Sequence, residues 1–462
     1  MIIKNRESLV SNGSHHLDKK ARGYALTILE EGVKAADPRQ AITRNVTRRG
    51  DELKINGLTF NLSQFENVYV LGAGKASGAM AEAIEEVLGD KITAGFVNVN
   101  LGSSIKSLTG RITLNEASHP IPSEDGMRGT KEILRIAEKA GERDLILYLI
   151  SGGGSALAPL PADGLTLRDK MDVTSILLKS GATINELNTV RKHLSAIKGG
   201  RLAKAAYPAT LVGLVISDVI GDPLDIISSG PTTPDPSTFA EAKEILEKYG
   251  LWKEAPERVR KHLEEGCSGR VLETPKEKDE AFKKVNNVVV ASSNLVMVEM
   301  EKAAAKLRLN TLILSSRIEG EAREVGKVLA SIATEAKLSD NPAKKPLVII
   351  GGGETTVTVR GKGLGGRNQE LTLGAATKIS DLNGVVVTSM GSDGLDGPTD
   401  AAGALVDGKS LKKALQLGLK PYEYLKENDS YNFFKRLGDL ILTGPTGTNV
   451  NDFMIMVILQ TA

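Results

Sequence analysis

A glycine-rich turn follows directly on a short apolar segment and contains the first residues that suggest chemistry. Residues 145–150 are apolar and lead into Ser151, Gly152, Gly153, Gly154 and Ser155. An apolar run without alternation is typical of a buried parallel strand. Successive backbone N–H groups in a glycine turn can surround an anion. The turn therefore predicts a nucleotide- or phosphate-binding site, although a tight turn without a ligand has the same pattern.

A second glycine turn carries a lysine. Residues 67–71 form a predicted strand, which is followed by Gly72, Gly74 and Lys75 and then by a predicted helix. Helix N-termini and ammonium groups both favour anions, so Gly72 and Gly74 are predicted phosphate-binding residues and Lys75 a reacting or substrate-binding cation. The turn is not a Walker A loop, because no glycine stands five residues before Gly74 and because Ala76 rather than Ser or Thr follows Lys75. It is not a full dinucleotide fingerprint either, because Ser77 stands where the third glycine belongs.

Three further cations are candidate binding residues. Arg191 and Lys198 are seven residues apart in a segment, 169–206, whose pattern is helical, so one helix face is expected to present both. An ordinary basic surface helix is the alternative interpretation. Arg367 follows the glycine loop 361–366 at a predicted helix start, where it could pair with a phosphate or a carboxylate.

Aspartates follow two of the predicted strands. Asp218 comes after the apolar segment 209–216, and Asp393 comes after the segment 384–390. α/β folds place their chemistry at the carboxyl ends of strands, and Mg²⁺ needs only one or two carboxylates beside substrate phosphates. Both aspartates are therefore candidate metal ligands, and for Asp393 an Asx-type turn is the alternative.

The alternation of strands and helices predicts an α/β protein of two domains. The predicted boundary lies near Lys283, so that residues 1–282 form the first domain and residues 283–462 the second. The net charge of +2 and the 4% aromatic content argue against nucleic acid as a partner. No segment has the apolar length of a membrane span, and the single cysteine suits a reducing compartment, so we expect a cytoplasmic protein.

Glycine turns, cations and a few aspartates are together what phosphoryl transfer requires. The turns hold phosphate oxygens, the aspartates hold Mg²⁺, and the cations offset the charge of the transferred group. The residues by themselves therefore indicate an ATP-dependent kinase of a small molecule.

Seven strings in this order resemble the glycerate 2-kinase family with its MOFRL domain: LGAGKAS, LISGGGSAL, INELNTVRKHLSAIKGGRLA, ISDVIGDPLDIISSGPTTPD, GGGETTVTVRGKGLGGRNQEL, SMGSDGLDGPTDAAGA and TGPTGTNVNDF. The resemblance implies that ATP, with Mg²⁺, phosphorylates D-glycerate at its C2 hydroxyl to give 2-phosphoglycerate and ADP. It also implies an N-terminal Rossmann-like parallel-sheet domain, a second α/β domain of MOFRL type, and an active site in the cleft between them.

The resemblance also implies residue roles. Lys75 and Arg367 match the family's reacting or substrate-binding cations, and Asp218 and Asp393 match its acidic loops. We expect Lys75, Arg367 and Asp218 to be catalytic, Arg191 and Lys198 to help bind the substrate, and Asp218 and Asp393 to bind the metal. Which aspartate holds Mg²⁺ and which orients the hydroxyl stays open.

Three other functions remain as alternatives. An NAD(P)H-dependent hydroxypyruvate or tartronate reductase is disfavoured by the incomplete dinucleotide fingerprint. A non-catalytic metabolite-binding protein would not need metal ligands. A kinase of another sugar acid would differ only in the shape of its pocket. A homodimer is the base-rate expectation for the assembly.

Overall fold

The computed structural model describes residues 2–460, which divide into two compact units. The middle unit comprises residues 38–290. The split unit comprises residues 2–37 together with residues 291–460. Among residues 2–460, no helix has both the length and the apolar character that crossing a lipid bilayer requires.

The strands, in chain order, are β1 Val46–Arg49, β2 Glu52–Ile55, β3 Leu58–Asn61, β4 Asn67–Ala73, β5 Ala94–Asn100, β6 Ile112–Ala117, β7 Asp144–Ile150, β8 Thr210–Ile216, β9 Val285–Ala291, β10 Asn310–Ile318, β11 Leu347–Gly353, β12 Val385–Gly391, β13 Gly403–Asp407, β14 Leu440–Ile441 and β15 Asp452–Ile458. The helices are α1 Arg6–Ser11, α2 His16–Ala36, α3 Pro38–Asn45, α4 Ser77–Leu88, α5 Glu124–Lys139, α6 Gly154–Leu157, α7 Leu167–Ser180, α8 Ile184–His193, α9 Arg201–Ala206, α10 Phe239–Lys248, α11 Glu257–Cys267, α12 Ser293–Lys306, α13 Ala322–Ser339, α14 Arg367–Ala376, α15 Ser410–Gln416, α16 Pro421–Lys426 and α17 Ser430–Leu437.

The middle unit is built on a six-stranded sheet of order β6-β5-β4-β7-β8-β9. The pairs from β6 to β8 are parallel, and every residue of β7 is buried, as its unbroken apolar sequence predicts. Counted from β4, this is the order 3-2-1-4-5-6 of the doubly wound dinucleotide folds. The strand order reverses between β4 and β7, and ligands bind such sheets outside the strand ends at that point.

The split unit has a mixed sheet of order β10-β11-β15-β12-β13-β14. Strands β10 and β11 are parallel, but β15 lies antiparallel between β11 and β12. The register places Asp452, the first residue of β15, opposite both Gly353 and Gly391. The carboxyl ends of β11 and β12 therefore meet the start of the chain's last strand. The predicted α/β class with a second α/β domain is confirmed.

The division of the chain differs from the predicted one at residues 1–282, because residues 2–37 pack with the later half of the chain. Arg22 of α2 is 1% exposed and bonds Asp407 and Asp439, with Nε and Nη1 each 2.6 Å from a carboxylate oxygen. Gly32 of α2 lies against Met300 of α12. The division falls between residues 290 and 291 rather than at Lys283, so that most of β9 stays with the middle unit.

Two local predictions are wrong. The segment 169–206 is not one continuous helix but spans most of α7 together with α8 and α9. Gly181, with φ of 79°, ends α7, and Gly199 and Gly200, with φ of 57° and 79°, turn the chain before α9. The alternating segment 355–360 forms no strand; it makes one isolated bridge, between Thr356 and Glu321.

Candidate active site

The glycine turn after β7 lies beside the lysine turn after β4. Strands β4 and β7 pair with Ala73 opposite Ile150, so the two turns leave the sheet side by side. The Lys75 backbone N–H donates to Gly152 O at 2.9 Å, and the Ala76 N–H donates to Ser151 Oγ at 3.0 Å. The sequence-predicted phosphate turn and Lys75 thus lie together at the point where the strand order reverses.

The three glycines of this turn are needed because polar side chains occupy the space of their missing Cβ atoms. A Cβ on Gly152 would meet the Asp218 carboxylate, 2.7 Å from Cγ. A Cβ on Gly153, whose φ is 81°, would lie 2.9 Å from His119 Cδ2 and 3.1 Å from Lys75 Cγ. The turn therefore gathers Lys75, Asp218 and His119 around one backbone segment.

His119 is a site residue that the sequence did not single out. Burial, with a further contribution from the positive charge of Lys75, lowers the pKa of its imidazole. His119 is therefore neutral near pH 7 and can accept or donate a hydrogen bond without adding charge. No motif surrounds it in the sequence, and only its contact with Gly153 reveals it.

A serine loop closes the other side of the turn. Ser228 Oγ donates to Ser151 O at 3.2 Å, and the hydroxyls of Ser155 and Ser229 lie 2.8 Å apart. Ser228 and Ser229 have left-handed φ values of 53° and 61°, which non-glycine residues seldom adopt. Ser229 is held by Asn188, whose side-chain oxygen accepts its hydroxyl at 2.9 Å. Such backbone strain persists only where the surroundings enforce it.

Gly72 and Gly74 have a packing explanation. A Cβ on Gly72 would lie 2.7 Å from Leu149 O, and one on Gly74 would collide with Ser151. Both glycines thus let β4 and its turn approach β7, and their role in phosphate binding stays a prediction.

Arg191 and Lys198 do not share a helix face, because α8 ends at His193 and Lys198 lies in the following turn. Both nevertheless line one cavity beside Ser155, and Lys198 Nζ donates to Ser155 O at 3.3 Å. A third cation, Lys170 of α7, lines the same cavity. No local pattern selects Lys170, since a lysine in a predicted helix is typical of a surface position.

In the split unit, Arg367 is held by carboxylates. Its Nε and Nη2 lie 2.6 and 3.0 Å from the two oxygens of Asp452, and its Nη1 lies 2.8 Å from Glu354 Oε1. Burial raises the pKa of Asp452 to about 6, against the lowering effect of the Arg367 guanidinium. Arg367 keeps a side chain that is 35% exposed, and its contact with substrate stays a prediction.

The aspartates after β12 have local partners. Asp393 Oδ1 accepts the Leu395 N–H at 3.0 Å, which is the Asx-type turn that the sequence left as an alternative to metal binding. Asp396 is 2% exposed and accepts the backbone N–H groups of Asn368 and Gln369 at the start of α14. Within residues 2–460, no group of three or more His, Cys, Asp or Glu side chains is placed to hold a metal.

Two family models match the chain. A model described as a domain of unknown function, DUF4147, covers residues 24–264, and the model of the MOFRL family covers residues 347–452. The first match includes the turn at Gly152–Gly154, and the second includes Arg367 and Asp452.

Relatives match over nearly the whole length. A glycerate 2-kinase from Pyrococcus horikoshii is 44% identical over 95% of this chain and 97% of its own. A protein from Agrobacterium vitis with the provisional name hydroxypyruvate reductase is 42% identical over 96% of this chain and 95% of its own. The crystal structure of a glycerate kinase from Thermotoga maritima superposes with a TM-score of 0.85 at 42% identity, covering 94% of this chain and 99% of that one.

Proposed function

The chain belongs to the glycerate kinase family, and from this premise we propose that it transfers the γ-phosphoryl group of ATP to the C2 hydroxyl of D-glycerate. In this reaction an O2–phosphorus bond forms, the bond from the γ-phosphorus to its bridging oxygen breaks, and the hydroxyl gives up its proton. ADP and 2-phosphoglycerate are the products. The observation that carries the proposal is the gathering of Lys75 and Asp218 around the turn at Gly152–Gly154.

Each of these groups has a role in the proposed transfer. The exposed Lys75 ammonium neutralises a carboxylate or a transferred phosphoryl oxygen, and its own N–H bond to Gly152 O fixes where the side chain starts. The Asp218 carboxylate accepts a hydrogen bond from the substrate hydroxyl or binds the metal. The turn backbone and the Ser155 hydroxyl supply donors for phosphate oxygens.

The residues present fit Mg²⁺ only as an ion shared with the nucleotide. Mg²⁺ is commonly held by one or two carboxylates and substrate phosphates, and Asp218 is the carboxylate that contacts the phosphate turn. When bound, Mg²⁺ would offset the negative charge of the β- and γ-phosphates. Metal binding by Asp393, substrate binding by Arg367, a cytoplasmic location and a homodimer are further predictions that accompany the proposal.

One assay tests the proposal and its regiochemistry. The protein is given ATP, Mg²⁺ and D-glycerate, ADP release is followed, and enolase detects 2-phosphoglycerate without a mutase. We expect both signals. ADP release that reaches enolase only through a mutase would mean phosphorylation at C3.

The name of the Agrobacterium vitis relative makes a hydroxypyruvate reductase the second candidate. The structure offers little for a dinucleotide, because Gly72 packs on Leu149 and Asn100 rather than an acidic residue ends β5. Oxidation of NADH or NADPH by hydroxypyruvate, with no ADP release from ATP and glycerate, would favour the reductase over the kinase.

A further inference from the structure

A cavity of about 470 Å³ in the middle unit combines an apolar lining with four cations. Its apolar residues include Ile121, Met171 and Leu178. Its cations are the exposed Lys179 together with Lys170, Arg191 and Lys198. Among the described residues that line it, none is Asp or Glu. We call it the α7 cavity, because α7 supplies Lys170, Met171 and Leu178.

Lys170, Arg191 and Lys198 lack the carboxylate partners that buried charges usually have. Lys170 and Lys198 are 8% and 2% exposed, and within residues 2–460 neither they nor Arg191 form a salt bridge. Lys170 Nζ donates only to carbonyl oxygens, to Pro159 O at 2.8 Å and Leu160 O at 3.2 Å. Nearby Lys192 is equally buried but lies 3.3 Å from an oxygen of Asp235.

The positive groups of the α7 cavity lie close enough to repel one another. Burial, with repulsion from Arg191, lowers the pKa of Lys170 to about 7. Burial and repulsion from Lys170 and Arg191 lower the pKa of Lys198 well below its ordinary value. An anion entering the cavity would relieve this repulsion and raise the pKa of both lysines.

The size and lining of the cavity decide which anion fits. A three-carbon acid needs neither this volume nor an apolar wall, whereas a nucleotide needs both. A triphosphate would also use more than one of the cations. The cavity adjoins the phosphate turn, because Ser155 lines it and Lys198 bonds the Ser155 carbonyl.

We propose that the α7 cavity is the nucleotide site, in which the base packs against Ile121, Met171 and Leu178 and the polyphosphate binds Lys170, Arg191 and Lys198. Lys170 is then a binding residue for ATP, and Arg191 and Lys198 serve ATP rather than glycerate. This inference rests on the proposed kinase reaction for its choice of nucleotide.

Steady-state kinetics of the full-length protein test this assignment with K170M. Loss of one charge-assisted contact is expected to raise KM for ATP by about ten- to a hundredfold while KM for glycerate stays within about twofold. R168M is the matched control, because Arg168 lies on the same helix with a 78% exposed side chain outside the cavity. An unchanged KM for ATP, or a rise in KM for glycerate instead, would overturn the assignment.

A second variant guards against misfolding of K170M. Leu178 is 62% exposed, so L178D places a carboxylate in the cavity without disturbing a core. We expect L178D also to raise KM for ATP, and an unchanged KM in this folded variant would count against the assignment.

Calorimetry gives a readout that does not need turnover. A non-hydrolysable ATP analogue is titrated at pH 8 in buffers of different ionisation enthalpy. Because the Lys170 pKa of about 7 should rise on binding, we expect uptake of more than about half a proton per nucleotide, reduced in K170M. If K170M weakens nucleotide binding but the parent releases no ADP with glycerate, the nucleotide site is upheld and the proposed function is rejected. If the parent phosphorylates glycerate but K170M binds the nucleotide normally, the proposed function is upheld and this nucleotide site is rejected.

Discussion

Replacing Gly152 with alanine puts a methyl group where the Asp218 carboxylate lies. The new Cβ would be 2.7 Å from Asp218 Cγ and 3.2 Å from Oδ1, against an ordinary contact of 3.4–4 Å. The nearest atoms all belong to the end of one side chain, so the carboxylate can move and the backbone need not. Asp218 must therefore shift by about 1 Å, a displacement that can cost about a hundredfold in rate when a reacting group is involved.

The expected result is a large loss of kcat with little loss of stability. We predict that G152A lowers the rate of glycerate phosphorylation by about a hundredfold and lowers the melting temperature by no more than about 4 °C. The double variant G152A/D218A should be no slower than D218A alone, because both changes remove the same group.

A second glycine provides the control. A Cβ on Gly23 of α2 would have no heavy atom within 4 Å, so G23A should leave the rate unchanged and stabilise the helix by about 0.5–1 kcal/mol. The reasoning is refuted if G152A keeps a near-normal rate while D218A is inactive, since the carboxylate would then tolerate the displacement. Normal rates in both variants would remove Asp218 from the reaction.

Three more predictions concern single cations. R22M should lower the free energy of unfolding by about 3–5 kcal/mol, measured by denaturant titration, because it leaves two buried carboxylates without their partner. K75M should reduce turnover strongly while the melting temperature stays near that of the parent, since Lys75 is exposed; near-normal turnover would exclude Lys75 from the mechanism. R367Q removes the group that holds down the pKa of Asp452, which burial already raises to about 6. In folded R367Q the Asp452 carboxyl should keep its proton to a higher pH than in the parent, whereas in the unfolded chain it titrates at its ordinary pKa. The free energy of unfolding should therefore fall more steeply from pH 6 to pH 8 in R367Q than in the parent, as thermal melts at both pH values would show.

Strands β4, β7 and β8 could be predicted because each is an apolar segment that leads into a polar or glycine-rich turn. The apolar run of β7 needs no partner to be recognised, and the glycines after it identify the turn. Lys75 and Asp218 were selected from their positions after strands, and the structure places both at Gly152–Gly153. In a parallel sheet, residues that directly follow neighbouring strands lie together at the edge formed by the carboxyl ends of those strands.

The site residues that escaped prediction depend on long-range order. Asp452 becomes the partner of Arg367 only because β15 inserts antiparallel between β11 and β12, an arrangement with no local signature. Lys170 joins Arg191 and Lys198 only because the chain breaks between α7 and α8, at Gly181, and again after His193. A helical pattern predicts a helix, but it does not show where the helix is interrupted. The interruptions decide which side chains become neighbours in the folded chain.

Two glycine-rich loops of this chain look alike in sequence and differ in cause. In the loop 361–366, a Cβ on Gly363 would lie 2.6 Å from the backbone of both Glu427 and Asp429, so this glycine permits main chain to pack on main chain. At Gly152 the obstacle is a movable carboxylate. Rigid backbone thus makes Gly363 a requirement of folding, whereas the carboxylate that faces the missing Cβ of Gly152 belongs to the candidate site. Gly361 and Gly363 are therefore explained by packing on the backbone of residues 427–429, and Gly366 faces both the backbone and the carboxylate of Asp396. The turn after β7 is the one around which Lys75, Asp218 and His119 gather.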